Sequence, residues 1–165
     1  MAKTYSAEQA RAETLEYFGG DELATSVFLN KYALQDKDGN YLETNPSMMH
    51  KRIAGELARI EAKYPNPMNR HEIYGLLKDF KYIVPQGSPM SGIGNEAKIQ
   101  SLSNCFVVEA PHDSYAGILK TDQELAQIAK RRGGIGFDIS TIRPRGLSTA
   151  NAAKTTDGIE VFMER

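Results

Sequence analysis

The sequence predicts an α-helical N-terminal region followed by the opening of an α/β domain. Three observations carry this. Over the first 80 residues, capping residues recur ahead of apolar positions at helical spacing. After Phe80 the chain becomes rich in Gly, Pro and Ser, then alternates short apolar runs with helical patterns. Only two such runs read as strands, and two strands make no complete sheet, so the second part reads as the start of a larger domain.

Each element has its own signal. Ser6 with Gln9 is a capping box, Leu15 and Phe18 give the first helix an apolar side, and Gly19-Gly20 stop it. Asp21 caps a second helix that reaches about Tyr32. "DKDGNY" (36–41) is a turn, because Asp38-Gly39 accepts positive φ. Asn45-Pro46 opens a third helix whose Met49, Ile53, Leu57 and Ile60 recur on one face. "YPNPM" (64–68) ends it, and Asn69 with Glu72 caps a fourth that carries Ile73, Leu76, Leu77 and Phe80.

"YIVPQGSPMSGIGNE" (82–96) holds too much Gly and Pro for a long helix and is too apolar for a loose linker; it reads as a structured loop that brings backbone close to something. "SLSNCFVVEA" (101–110) is a strand candidate. Asp113 or Ser114 opens a helical stretch, Thr121 with Glu124 repeats the capping-box pattern, and Leu125, Ile128 and Ala129 face inward. After "KRRGG", "IGFDIS" (135–140) is a second strand, "TIRPRG" (141–146) a turn and "TTDGIEVFMER" (155–165) the start of another helix. The predicted domains are therefore 1–81, helical, and 82–165, α/β.

Composition narrows the function classes. Of 165 residues, 41% are hydrophobic and 25% charged, the balance of a globular protein. Twenty basic and 21 acidic residues leave a net charge of −1, which argues against a global attraction to nucleic acid or membrane. No apolar run approaches the ~20 residues of a membrane-spanning helix, and "MAKTYSAEQARAE" lacks the apolar stretch of a signal peptide. The single cysteine forms neither an internal disulfide nor a cysteine-based metal site, so a cytoplasmic protein is the simplest expectation. His50, His71 and His112 lack metal-ligand spacing, and no metal site is expected.

Four features invite a functional reading. Cys105 is the only cysteine. Free cysteine is among the most buried residue types, so the residue alone favours an inert thiol. The preceding "SLSN" instead sets polar groups beside the sulfur at the mouth of a strand, which suits a working thiol. In "RRGGIGFD" (131–138) a helix precedes the glycines, the reverse of a dinucleotide-binding motif. A glycine cap accounts for Gly133; Gly134 and Gly136 suggest a ligand or backbone pressed against the strand. Arg143 and Arg145 flank a proline, as a solvated turn or as a guanidinium fork for phosphate. Asp113 is either a helix cap or a carboxylate for a ligand hydroxyl.

In order along the chain, "YFGGDELATSVFLNKYAL", "RIAGELARIEAKYPNPM", "VPQGSPMSGIGN", "SLSNCFVV", "DSYAGILKTDQELAQIAKRRGGIGFDIS", "IRPRG" and "GIEVFMER" resemble the catalytic (large) subunit of ribonucleotide reductase. The resemblance covers nearly the whole chain and is most specific in its second half. It implies an N-terminal helical domain followed by the first strands and helices of a ten-stranded α/β barrel, here incomplete.

The resemblance also implies a chemistry, the reduction of ribonucleotides, most simply diphosphates, to deoxyribonucleotides through a thiyl radical. Cys105 matches one member of the reducing dithiol pair. Ser88 matches a hydroxyl residue on the substrate phosphate, and Asn104 and Gly134 line the substrate pocket. Asp113 and Arg143 match residues holding the sugar hydroxyl and the phosphates of a dNTP effector, with 137–149 as the first specificity loop. Implied partners are the remainder of the catalytic subunit, a second copy in a homodimer, an external dithiol reductant and a radical source. That source is a metal-containing small subunit or adenosylcobalamin, and no cofactor is expected within this chain.

The radical cysteine and the partner of Cys105 fall beyond the family position of Arg165, so the chain alone is expected to be inactive. The alternative is a non-catalytic module that binds dNTP, regulates, or complements a reductase.

Overall fold

Four helices of the first part start where their capping side chains stand. The computed structural model describes residues 3–164. Helix α1 (Ala7–Tyr17) begins with the Ser6–Gln9 capping box, and α2 (Glu22–Lys31) with the Asp21 carboxylate accepting from Ala24 N at 2.9 Å. Helix α3 (Pro46–Glu61) starts with Asn45 accepting from Met48 N at 3.2 Å, and α4 (Arg70–Leu77) with the Asn69–Glu72 capping box. These side chains satisfy amides that have no partner within the helix. The turn at 36–41 is held by Asp36, whose carboxylate accepts from the amides of Asp38 and Asn40, both at 2.9 Å. Gly39 has φ +84°, the left-handed conformation that turn requires.

The core of this unit joins Ala10 of α1, Phe28 and Leu29 of α2, Met49, Ile53 and Ala54 of α3, and Ile73 and Leu77 of α4. The inward face of α3 is shorter than its periodicity predicts. Met49 and Ile53 are buried, but Leu57 is 36% exposed. After α4, a single 3-10 turn (Lys78–Phe80) places Asp79 and Phe80 at φ +55° and +56°, unusual for non-glycine residues. Tyr17 holds this turn by donating its hydroxyl to Asp79 Oδ1 at 3.0 Å. Burial and that carboxylate push the Tyr17 pKa up to about 12. His50, fully buried, meets the Phe80 ring edge-on at 4.5 Å.

The composition changes at 81/82, yet the two compact units divide between Leu102 and Ser103. Residues 82–102 stay with the helical unit because Arg52 of α3 donates to Met90 O at 2.9 Å and to Ile93 O. The stretch read as a loop contains a short helix, α5 (Gly87–Gly92).

The second unit has a simple order: strand β1 (Cys105–Val107), α6 (Tyr115–Ala129), strand β2 (Gly134–Gly136) and the single turn α7 (Glu160–Met163). The strands are parallel, with Cys105 opposite Gly134, Phe106 opposite Ile135 and Val107 opposite Gly136. A parallel pair requires a crossover, which α6 supplies. Of the ten strands that the resemblance implies, the described residues contain two.

Of the two residues that could open α6, Ser114 is the cap, accepting from Gly117 N at 3.0 Å. Two local expectations for this unit change. Thr121 starts no second helix; it lies inside α6 and donates to Gly117 O at 3.3 Å, a back-bond that a mid-helix threonine makes readily. Ala129 faces solvent.

His50 gives the helical unit a pH dependence. Burial lowers its pKa below the ordinary 6.5, against a smaller opposing pull from Asp79. The unfolded chain therefore binds a proton more readily than the folded one, so this contribution to stability is complete above pH 6.5 and declines as pH falls toward the folded pKa. Urea unfolding followed by helical circular dichroism should show stability dropping below pH 6.5 by at most about 1.4 kcal/mol per pH unit from this group. In His50→Met the slope below pH 6.5 should be shallower.

Candidate functional site

The site at the strands is set by the β ladder. Residues of both strands alternate exposed and half-buried in phase. Cys105, Val107, Gly134 and Gly136 share one open face, while Phe106 and Ile135 face the other way. Val107 is 91% exposed, high for a strand valine. Cys105 is free and exposed, so the inert buried thiol favoured by residue statistics is not what the fold produces.

At the strand mouth, Gly134 donates its amide to Asn104 O at 2.6 Å. A Cβ at Gly134 would lie 3.2 Å from that oxygen and 3.9 Å from Cys105 Sγ. Asn104, Cys105 and Gly134, thirty residues apart in the chain, thus form one patch. Gly133 has a different reason from the helix cap expected of it. Arg132, at φ +69°, takes the left-handed position, and a Cβ at Gly133 would lie 2.5 Å from Ile128 and 2.8 Å from the Phe106 ring. No side chain stands within 4 Å of where a Cβ of Gly136 would be, so Gly136 simply leaves the open face clear.

A second site lies in the same unit. Asp113 and Arg143 form an ion pair through Arg143 Nε and Asp113 Oδ2, and the Arg143 amide donates to Asp113 Oδ1 at 3.3 Å. The side-chain hydrogen bond from Arg143 holds the Asp113 carboxyl below its usual range, so it stays ionised near neutrality. The pair stands at a cleft of about 450 Å³, walled by Tyr115 and Phe162 and by Thr149, Asn151 and Thr156. The two rings meet at 5.6 Å.

Residues 144–156 reach the cleft as a hairpin-like loop. Gly146 N donates to Thr156 O and Thr156 N to Leu147 O, both at 2.9 Å, with Thr149 N to Lys154 O beneath them. Arg145 belongs to this loop's frame, donating to Asp157 O at 2.9 Å and pairing with Glu160 at 3.0 Å. The two arginines therefore do not act as one fork. The loop's contribution has only a weak sequence signal, the small polar run "STANAAKTTDG" (148–158).

Ser88 lies in the helical unit, on α5, and is 3% exposed. Its carbonyl accepts from Gln100 Nε2 at 3.2 Å. Among the described residues no group of three or more His, Cys, Asp or Glu side chains could hold a metal ion. No described helix is long and apolar enough to cross a membrane.

Comparison with known proteins fits this division. Residues 18–94 match the model of the ribonucleotide reductase all-alpha domain, and residues 103–165 that of the ribonucleotide reductase barrel domain. The chain belongs to the ribonucleotide reductase large-subunit family. Within that family it is 32% identical over 124 residues to the ribonucleoside-diphosphate reductase subunit alpha of Helicobacter pylori, covering 75% of this chain and 15% of that protein. It is 27% identical over 143 residues to the vitamin B12-dependent ribonucleoside-diphosphate reductase of Mycobacterium tuberculosis, covering 85% of this chain and 20% of that protein. A 58-residue segment is 43% identical to the ribonucleoside-diphosphate reductase large chain of Neurospora crassa, which is 35% of this chain and 6% of that protein. The chain thus spans a fifth or less of the length of these relatives.

The exposure of Cys105 has a direct consequence. One thiol per chain should react with a disulfide reagent such as DTNB in buffer as fast as in urea. A thiol that reacts only after urea is added would contradict this geometry.

Proposed function

We propose that this chain is the N-terminal part of a ribonucleotide reductase catalytic subunit and that Cys105 is one of its two reducing thiols. The observation that carries the reading is the patch at the strand mouth. A working thiol needs access, and Cys105 has it beside a glycine that leaves room for a ligand.

In the reaction proposed, a radical cysteine supplied from outside the described residues takes the 3′ hydrogen of the substrate ribose. The 2′ hydroxyl takes a proton and leaves as water. Cys105 and a second cysteine, also from outside these residues, give up two electrons and become a disulfide. The 3′ hydrogen is then returned. The balance is ribonucleotide plus dithiol to deoxyribonucleotide, disulfide and water. An external dithiol resets the pair.

Asn104 and Gly134 line the substrate, and Ser88 takes its phosphate. The open face of β1 and β2 belongs, in this reading, to the first of ten barrel strands. The radical originates from a metal-containing small subunit or from adenosylcobalamin; no residue of this chain is assigned to hold either. A cytoplasmic homodimer of the complete subunit completes the reading.

Asp113 and Arg143 serve a dNTP effector. The carboxylate accepts from the sugar hydroxyl, and the guanidinium, fixed beside it, meets phosphate. The cleft supports a second reading too, in which the chain acts as a non-catalytic dNTP-binding or complementing module.

Two measurements test these assignments. When the chain is mixed with a polypeptide carrying the rest of the subunit, Cys105→Ala should abolish deoxynucleotide formation; activity equal to wild type would remove Cys105 from the chemistry. Calorimetry with dTTP and dATP on the folded chain should detect binding that Arg143→Ala weakens about tenfold or more. No heat at millimolar nucleotide would remove the effector assignment and, with it, the module reading.

A further inference from the structure

Helix α5 has little intrinsic tendency to form. It is six residues long, and "GSPMSG" combines two glycines, a proline and two serines, all poor helix formers. Its N-cap residue, Gln86, makes no side-chain capping bond. Met90 and Ile93 pack against the helical core and Ser91 Oγ donates to Gly87 O at 3.1 Å; side chains from outside then take up further carbonyl groups and fix where the helix sits.

The principal one is Arg52. From α3 it donates Nη2 to Met90 O at 2.9 Å and Nη1 to Ile93 O. Its remaining reach goes to Glu43, through Nε to Oε1 at 2.6 Å and Nη2 to Oε2 at 3.2 Å. Glu43 is pinned in turn by the Leu34 amide at 3.1 Å. The two side chains are 11% and 5% exposed, so this pair is largely sheltered from water. A planar guanidinium suits this position, because one edge meets the carboxylate in two places while other N–H groups point at the two carbonyls.

The chain around α5 is shaped to admit Arg52. Gly94 has φ +71°, and a Cβ there would stand 2.9 Å from Arg52 Cγ. Gln100 supplies a second tie, reaching Ser88 O at 3.2 Å and Ser91 Oγ at 2.9 Å. The backbone in "GSPMSGIGNE" does come close to something, namely the arginine stem and Gln100.

We infer that Arg52, oriented by Glu43, is the positioning residue for Ser88. It latches the far end of α5 to the helical core and so sets where the Ser88 hydroxyl is presented. The inference rests on the reading of Ser88 as a substrate-phosphate contact. Only 3% of Ser88 is exposed, so small displacements of α5 decide whether its hydroxyl can be reached. Lysine cannot replace the arginine, because one ammonium cannot meet a carboxylate edge-on and two carbonyls at once.

Hydrogen exchange on the 165-residue chain tests the latch without any activity. In Arg52→Lys, and separately in Gly94→Ala, the amides of Met90, Ile93 and Asn95 should exchange faster while those of α3 and α4 keep their protection. Unchanged exchange at those three amides, or an equal rise throughout α3 and α4, would overturn it. If Arg52→Lys fails to fold, Glu43→Gln, which weakens the carboxylate that orients the guanidinium, decides by the same three amides.

The consequence for substrate is read in the chain completed by the rest of the subunit. Both variants should raise KM for a ribonucleoside diphosphate about five- to tenfold, with kcat within about twofold of wild type. Either variant should add little when combined with Ser88→Ala, because all act through one contact. A wild-type KM in both variants, where Ser88→Ala alone raises it, would overturn the positioning role. If Ser88→Ala itself leaves KM unchanged, the phosphate assignment fails and the positioning role with it, while exchange still judges the latch.

Discussion

The pairing of β1 with β2 is the constraint on which the second unit depends. The Gly134 amide on the Asn104 carbonyl starts the ladder at the strand mouth, and the ladder places Cys105 opposite Gly134. Side chains in a strand alternate faces, so a slip of one residue would turn Cys105 toward α6 and bring Phe106 out. Gly133 guards against that slip, since it lies under Phe106 and Ile128 where no side chain fits. The exposure of the thiol, the room beside it and the burial of Phe106 all follow from one register.

The same unit holds its second site by a different means. There the contact between Asp113 and Arg143 spans thirty residues and joins the turn before α6 to the turn after β2. An ion pair this exposed adds little to stability. What it does is hold a carboxylate and a guanidinium in a fixed relation at the edge of a cleft. The loop 144–156 keeps its shape through backbone bonds and through Arg145, leaving Arg143 to the cleft.

Much of the helical unit was legible because helix starts are local. Ser6, Asp21, Asn45 and Asn69 each announce an N-terminus within a few residues, and each caps one. The same local logic misled at Thr121, where a capping pattern lies inside α6 and the hydroxyl bonds backward. Leu57 and Ala129 show a second limit. Periodicity indicates which face is apolar but not how far a neighbouring helix covers it. Arg52 was invisible for a third reason: in sequence it is one more charge between apolar positions. Its role appears only when the chain returns forty residues later and offers two carbonyls. Whether Cys105 is buried or exposed was open on its residues, and the strand's register, a long-range property, leaves it exposed.

The central claim is the register at Cys105, and protein NMR on the folded chain tests it most directly. Cross-strand nuclear Overhauser contacts should join Cys105 to Gly134, Phe106 to Ile135 and Val107 to Gly136. Contacts displaced by one residue, joining Cys105 to Gly133 or to Ile135, would contradict the account.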